Sequence, residues 1–197
     1  MLGSWNIDVK VGGMPQKVAT AFAKEFREIV GAEYMPIAYL GSQTVNGINH
    51  AILAEQVLVI GRDVKNIVLI VMNERDDVFC VERIENIVAQ GGAFGGTNID
   101  VQTDIPVGAQ DAWNNAFKEF VGSNVNPFAY LGTQVTKGTD YIFAATSKMI
   151  VRPVGIKFSN EMEVVIVTIR AATGHVEFKS ILGGKNDAEL VGYSFTW

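Results

Sequence analysis

A long internal repeat is the feature that most constrains how this chain can fold. Shifting the sequence by 91 residues aligns positions 15–47 with 106–138 without a gap, and 13 of these 33 positions are identical. The stretch Asn-Ile-Asp-Val also occurs in both copies, at 6–9 and at 98–101. A period of about 90 residues is too long for one unit of a solenoid. The repeat therefore predicts two duplicated small domains.

The boundaries of the two domains follow from where the alignment shifts. Towards the end of each copy the offset rises from 91 to 97, so the second copy has six extra residues, which we place in the turn at 152–161. We predict one domain over 1–92 and a second over 93–197, joined through the glycine-rich segment 90–97. A lone domain of this size buries only about two-thirds of its surface. Docking of the two copies would stabilise both.

Each copy predicts the same order of secondary-structure elements. The Asn-Ile-Asp-Val stretch alternates as a short strand does, and Pro15 and Pro106 then begin a helix, because proline is tolerated at the first helical position. Apolar residues recur at helical spacing: Val18, Phe22, Phe26 and Ile29 in the first copy, and Ala109, Trp113, Phe117 and Phe120 in the second. Gly31 and Gly122 follow, where a glycine commonly ends a helix. Four β-rich runs come next. We predict an α+β fold in which each domain packs one helix on an antiparallel sheet.

Composition and charge exclude several classes of partner. Hydrophobic residues make up 48% of the chain and charged residues 19%, and the net charge is −5. This charge is spread over both copies, with 8 basic and 11 acidic residues in 1–92 and 8 basic and 10 acidic residues in 93–197. No basic stripe is present, so we expect no binding to nucleic acid or to anionic membranes. No apolar run reaches the roughly 18–20 residues that span a bilayer.

The N-terminus and the cysteine content indicate the compartment. The first ten residues contain neither a basic region nor an apolar core of the kind found in signal peptides. Cys80 is the only cysteine, so no disulfide can form within the chain. We expect a cytoplasmic protein, although a processed form of a longer chain has the same features.

A short motif follows the predicted helix in each copy. Residues 43–47 read Gln-Thr-Val-Asn-Gly, in the first hairpin after the helix. Together with the element order, Gln43, Val45 and Gly47 resemble the Gln-x-Val-x-Gly signature of the cystatins, a family of tight inhibitors of papain-like cysteine proteases. The second copy keeps Gln134 and Gly138 but has Thr136 in place of the valine. The resemblance covers nearly the whole chain and implies two cystatin-like domains, each with a curved sheet.

The resemblance also implies a set of partner-binding residues. Cystatins present three elements as one wedge: an N-terminal segment with a glycine, the Gln-x-Val-x-Gly loop, and a second hairpin that usually carries Pro-Trp. The corresponding residues here are Gly3, then Gln43, Thr44, Val45, Asn46 and Gly47, then Glu74 and Arg75, with Gln134 and Gly138 in the second copy, where Gly95 and Gly96 precede the first strand. The second hairpin departs from the family, because 73–77 read Asn-Glu-Arg-Asp-Asp and 170–175 read Arg-Ala-Ala-Thr-Gly-His.

Three functions are compatible with these features. The first is occlusion of a papain-like protease by the first copy, without catalysis. The second is a non-inhibitory interaction or assembly module built by duplication, in which the repeated glycines serve only as hairpin turns. The third is an enzyme or a small-ligand pocket, which would require polar residues between helix and sheet. Because the predicted helix face is apolar, we do not expect an enzyme.

Other reactive residues give weak signals. His50 and His175 lack a second histidine or a cysteine at metal-ligand spacing, so we expect no metal site and no cofactor. Cys80 lies in an alternating strand, which predicts a core or sheet residue rather than a nucleophile. The glycine-rich segment 91–96 lacks the lysine of a phosphate-binding loop. Residues 183–197 extend beyond the repeat. Residues 189–197 alternate loosely, which is compatible with an added strand at a free sheet edge, but the sequence does not place them.

Overall fold

The computed structural model describes residues 3–59, 63–91, 96–118, 123–149, 162–183 and 192–195. The chain divides into two compact units, Met1–Gln90 (unit 1) and Gly91–Trp197 (unit 2). The described residues form two helices and two antiparallel sheets, and most of them lie in strands. The predicted α+β class is therefore confirmed.

Unit 1 contains one helix and five strands. These are β1 (Trp5–Val11), α1 (Gln16–Phe26), β2 (Ala32–Thr44), β3 (Ile48–Val59), β4 (Asp63–Arg75) and β5 (Val78–Ala89). The strands are neighbours in chain order, β1-β2-β3-β4-β5, and each pair is antiparallel. Hairpins therefore connect β2 with β3 and β4 with β5 at the same end of the sheet.

Helix α1 packs its apolar face on the sheet of unit 1. The buried residues recur at spacings of three and four and lie against apolar side chains of β2, β3 and β4. On the helix these are Val18, Ala21, Phe22 and Phe26, and on the strands Tyr39, Ile52, Ala54, Val68, Ile70 and Met72. Burial of this kind contributes about 1.5–3 kcal/mol for each large apolar side chain. In β3 and β4 the residues between the helix-facing ones are buried as well, in the runs 51–55 and 66–73.

The helix ends earlier than the apolar spacing predicts. Ile29 was expected on the buried face, but α1 ends at Phe26 and Ile29 is exposed. The ring of Phe26 lies 4.6 Å from that of Tyr34, near the start of β2. The chain leaves the helix after Phe26 and enters β2 at Ala32. Gly31, with φ 84°, lies immediately before this strand.

Unit 2 has the same element order and one additional strand. Its elements are β6 (Thr97–Gln102), α2 (Val107–Phe117), β7 (Ser123–Val135), β8 (Thr139–Met149), β9 (Glu163–Arg170), β10 (Val176–Leu182) and β11 (Gly192–Phe195). The sheet order is β6-β7-β8-β9-β10-β11. Helix α2 buries Ala109, Trp113 and Ala116 against the sheet. Three predicted features lie outside the described residues: residues 92–95 of the linker, with Gly95; the helical residue Phe120; and the extra residues at 152–161.

The last strand pairs with the outer side of β10. Its register places Phe195 opposite Val176 and Gly192 opposite Lys179. The sheet of unit 2 is therefore extended by one strand beyond β10. In unit 1, the corresponding strand β5 has only β4 as a neighbour among the described strands.

The repeated glycine of the Tyr-Leu-Gly sequence has a structural cause. Gly41 and Gly132 have φ 151° and 142°, and each pairs with the first strand of its unit directly beside a register shift. A Cβ atom at Gly41 would overlap the backbone carbonyl oxygen of Asn6, and one at Gly132 would overlap that of Asn98. These two glycines are therefore required by the sheet, whatever the protein binds.

Candidate protein-binding site

Three segments of unit 1 meet at one end of its sheet. Trp5 pairs with Gln43, Gln43 with Asn49, and Asn49 with Asn73, so the start of β1 and two hairpin turns lie side by side. We call this surface the loop end and define it as Gly3, residues 43–47 and residues 74–78. It brings together all the partner-binding residues predicted in the first copy.

A ladder of side-chain amides fixes the N-terminal segment to the first loop. Gln43 donates a hydrogen bond from Nε2 to the carbonyl oxygen of Gly3 at 2.5 Å. Asn49 Nδ2 donates to Gln43 Oε1 at 3.3 Å, and Asn73 Nδ2 donates to Asn49 Oδ1 at 2.7 Å. The ladder crosses three strands and gives Gln43 a positioning role. Sequence analysis identified Gln43 but not Asn49 or Asn73, because the strand register that aligns them was unknown.

The first loop is tight and presents an apolar side chain. Val45 N–H donates to the carbonyl oxygen of Gly47 at 3.0 Å, and Asn46 and Gly47 have positive φ values of 41° and 113°. A Cβ atom at Gly47 would lie 2.6 Å from the backbone oxygen of Glu74, so only glycine fits. Thr44 ends β2 and is exposed, and Val45 is 39% exposed. The loop therefore holds Val45 towards solvent on a constrained backbone.

The second hairpin has a charged tip. Asp76 and Asp77 have φ values of 51° and 59°, which are typical of a two-residue type I′ turn. The Asp76 side chain is 94% exposed, and Arg75 is exposed beside it, with Nε 3.9 Å from Asp76. Val78 is 67% exposed on the other side of the turn. The tip therefore combines an exposed ion pair with an exposed valine, in place of the Pro-Trp of the cystatins.

The Glu74 side chain turns inward and away from the tip. Its Oε2 atom lies 3.0 Å from His50 Nε2, and its Oε1 atom lies 3.7 Å from Lys17 Nζ on helix α1. Only 17% of the side chain is exposed. Glu74 was predicted to contact a partner directly, but the structure places its carboxylate beneath the hairpin, which leaves Arg75 as the outward-facing charge of this pair.

Lys17 connects the helix to the turn itself. Its ammonium donates to Asp77 Oδ1 at 2.6 Å. This hydrogen bond and the charge of Lys17 lower the pKa of Asp77, and the same hydrogen bond raises the pKa of Lys17. Both side chains are largely exposed, so the pair contributes little to stability but orients the turn.

A buried histidine completes the network. His50 is 6% exposed, and its Nδ1 atom lies 3.1 Å from the hydroxyl of Tyr39. Burial raises the pKa of Tyr39. The His50 ring is also stacked against Phe79 with 6.0 Å between centroids. Because both ring nitrogens contact protein groups, this Tyr-His-Glu arrangement is a buried anchor of the hairpin.

This network places polar groups of the sheet beside the apolar helix face that the sequence predicted. Lys17 adjoins the apolar face of α1, and Tyr39, His50 and Glu74 follow one another on β2, β3 and β4. Sequence analysis could not detect the connection, because the four residues are distant in the chain. The polar groups contact one another, as buried polar groups generally do.

The corresponding loop of unit 2 is held by a charged pair. Thr136 Oγ1 donates to Asp140 Oδ2 at 3.0 Å, and Arg170 donates to both oxygens of Asp140 at 3.2 and 3.3 Å. The hydrogen bond to Asp140 raises the pKa of Arg170. Asp140 and Arg170 occupy the positions of Asn49 and Asn73 in unit 1. The two units thus use different chemistry at the same place in the sheet.

The predicted residues of unit 2 lie at one end of its own sheet. Gln134 pairs with Thr97, and the neighbouring Val135 N–H donates to the carbonyl oxygen of Gly96 at 3.4 Å. Gly138 has φ 147° and accepts a hydrogen bond from the Thr136 N–H at 3.0 Å. The buried network is absent here: the positions of Lys17, His50 and Glu74 hold Gly108, Tyr141 and Ala171.

Cys80 lies on the outermost described strand of the unit 1 sheet. Cys80 is exposed, which contradicts the core alternative, because β5 is the outermost strand of the unit 1 sheet. Cys80 pairs with Asn73 on β4. Its neighbour on β5, Phe79, is the residue whose ring stacks on His50. Within the described parts of both units, no three side chains are grouped as ligands for a metal ion. The described helices are all too short or too polar to cross a membrane.

Comparison of the chain with protein-family models, with curated proteins and with solved structures found no match. The geometry of the loop end therefore carries the functional interpretation.

Proposed function

We propose that unit 1 is a non-catalytic protein-binding domain of cystatin-like fold, and that its loop end enters the cleft of a papain-like cysteine protease. One observation carries this proposal: Gly3, Val45 and Arg75 belong to three separate segments that meet at one end of the sheet. The strand order β1-β2-β3-β4-β5, with one helix after β1, supports the resemblance to the cystatins.

The loop end has the physical properties that such a contact needs. The amide ladder and the Lys17–Asp77 contact already fix its three segments in the free protein. A surface ordered before binding loses less conformational entropy when the complex forms. Val45 supplies an apolar tip. No reactive side chain is required for occlusion.

The charged hairpin determines which partners fit. Arg75 and Asp76 are exposed, so a partner must offer groups of opposite charge or leave both residues in water. An apolar pocket at this place would remove water from the two charges, and this desolvation would cost binding free energy. We therefore expect selectivity for proteases whose cleft is polar where it meets the hairpin.

A second candidate function is a non-inhibitory interaction module, and the same charged hairpin favours it. In this case the loop end binds a polar protein surface other than a protease cleft. The Thr136 hydroxyl bonded to Asp140 and the exposed Lys137 give unit 2 a polar loop of similar character. Duplication would then provide two polar binding ends in one chain.

Titration of the full chain against a panel of papain-like proteases tests the first proposal. We expect inhibition of at least one of them at or below micromolar concentration, through binding of the loop end. The V45D variant places a charge on the apolar tip and should weaken inhibition at least about tenfold. The matched K137D variant places the same charge on an exposed residue of the unit 2 loop and should leave this inhibition unchanged.

Two results separate the candidates. Absence of inhibition by a micromolar excess of the full chain contradicts the protease proposal. Binding that V45D weakens, to a protease that still cleaves small substrates at its full rate, supports the second candidate, because the loop end is then occupied while the protease cleft stays open.

A further inference from the structure

We propose that Asn46 is a site of spontaneous deamidation, and that its conversion to isoaspartate opens the first loop of the loop end. The chain contains a single Asn-Gly sequence, formed by Asn46 and Gly47. The modification follows from the chemistry and geometry of these two residues alone, whereas its effect on protease inhibition rests on the proposed function.

The reaction needs only the two residues and water. The backbone nitrogen of Gly47 loses its proton to water and attacks the side-chain carbon Cγ of Asn46. The N–Cγ bond forms, the Cγ–Nδ2 bond breaks, and the amide nitrogen takes up a proton from water and leaves as ammonia. Water then opens the resulting succinimide ring at either of its carbonyl carbons. One opening gives aspartate, and the other gives isoaspartate, in which the main chain runs through the β-carbon.

The loop leaves both reacting groups accessible. Asn46 is exposed, and among the hydrogen bonds of the described residues none has the Gly47 N–H as its donor. Gly47 has no Cβ atom that would shield its nitrogen from the preceding side chain. Asn46 has φ 41°, a conformation that asparagine adopts more readily than most residues. The sequence that suits this turn is therefore also the one that can cyclise.

Three other asparagines of unit 1 lack this combination. Asn49, Asn66 and Asn73 each donate from Nδ2 to a neighbouring side chain, and each is followed by a residue larger than glycine. In unit 2 the position of Asn46 holds Lys137, which has no amide group to lose. The loop of unit 1 is therefore open to this reaction, whereas the equivalent loop of unit 2 is not.

Isoaspartate at position 46 changes the most constrained part of the loop. It adds one atom to the main chain between Val45 and Gly47, whose backbones are joined by the 3.0 Å hydrogen bond. Gly47 lies against β4, where a Cβ atom would be 2.6 Å from the Glu74 carbonyl oxygen, so the extra atom cannot be taken up on that side. The new carboxylate also lies in the groove that Asp76 lines, and the two like charges repel each other. We expect the hydrogen bond to break and Val45 to be displaced.

Peptide mapping by mass spectrometry after incubation of the full chain at alkaline pH tests the site. We expect Asn46 to deamidate at least about tenfold faster than the exposed residues Asn6 and Asn124, which precede β-branched residues. Labelling with an isoaspartate methyltransferase identifies the isoaspartate product. The N46K variant has the residue of unit 2 at this position and should lose the fast reaction. Equal rates at the three asparagines overturn the proposal.

Amide hydrogen exchange tests whether the loop opens. The isoaspartate form has an additional negative charge and can be separated from the unmodified chain by ion exchange. We expect exchange within residues 43–48 to be at least about tenfold faster in this form, with unchanged exchange within 134–139. The N46D variant has the same charge without the additional main-chain atom, so its exchange should stay close to that of the unmodified chain. Equal exchange of the isoaspartate form and the unmodified chain within 43–48 overturns the proposal.

Inhibition assays distinguish failure of this inference from failure of the proposed function. Where the unmodified chain inhibits a papain-like protease, the isoaspartate form should inhibit it at least about tenfold less. Equal inhibition by the two forms would contradict the inference. Where the unmodified chain inhibits no such protease, the proposed function fails, and the mapping and exchange measurements still decide whether Asn46 deamidates and opens the loop.

Discussion

The Nε2 atom of His50 lies 3.0 Å from the carboxylate of Glu74, and this contact joins the buried part of the unit 1 sheet to its exposed hairpin. Glu74 in turn lies near Lys17, which donates to Asp77 in the turn. The charged tip is therefore supported from beneath by His50, Glu74 and Lys17. This arrangement gives a physical reason why a polar hairpin can stay rigid without the packing of a tryptophan.

Replacement of Glu74 tests the importance of the buried network for stability. The E74L variant leaves His50 without its carboxylate partner, and we expect the free energy of unfolding to fall by about 1–3 kcal/mol. The E74Q variant should lose less, because the amide oxygen still accepts a hydrogen bond from His50. Urea denaturation of both variants provides the comparison. Equal losses for the two would show that the hydrogen bond does not matter.

Replacement of Gly47 tests the close approach of the first loop to β4. In G47A, the positive φ and the overlap with the Glu74 backbone oxygen act together, and we expect a loss of about 1–3 kcal/mol in the free energy of unfolding. In the matched G138A variant of unit 2, the nearest atom lies 3.7 Å from the new Cβ, so only the backbone strain remains. The smaller loss for G138A can be measured by urea denaturation, and a larger one would contradict the geometry.

The Asp140–Arg170 pair of unit 2 can be compared with the uncharged Asn49–Asn73 pair of unit 1. R170N leaves the carboxylate of Asp140, which is almost fully buried, without its cation, and we expect a lower melting temperature. D140N/R170N reproduces the Asn49 and Asn73 arrangement and should recover most of the loss. Differential scanning calorimetry measures both. A double variant no more stable than R170N would mean that the two positions are not coupled.

Glu163 provides a prediction about pH. Burial raises its pKa above the ordinary value of 4.5, and a hydrogen bond with Ser180 opposes this shift only in part. The folded state therefore favours the protonated form, and ionisation of Glu163 reduces stability as the pH rises through and above 4.5. We expect E163Q to raise the melting temperature at pH 7 and to have little effect at pH 3. The exposed D111N variant serves as the control and should show no such gain at pH 7.

The sequence predicted the fold more completely than the site. The spacing of Val18, Phe22 and Phe26 identified the helix, but Gly31 was expected to end it directly, whereas α1 already ends at Phe26. The inward turn of Glu74 was not predictable, because it depends on the register of β3 with β4 and on the position of Lys17 above them. Cys80 was assigned to the core or the sheet because alternation alone does not show which strand lies at the edge.

Amide hydrogen exchange of the full chain, alone and saturated with a papain-like protease whose active-site cysteine is blocked, tests most directly whether the loop end acts as one binding surface. We predict slower exchange at the start of β1, in residues 43–48 and in residues 74–78, with no change in residues 134–139 of unit 2. Unchanged exchange in all three segments of unit 1, or protection restricted to another part of the chain, would contradict this account.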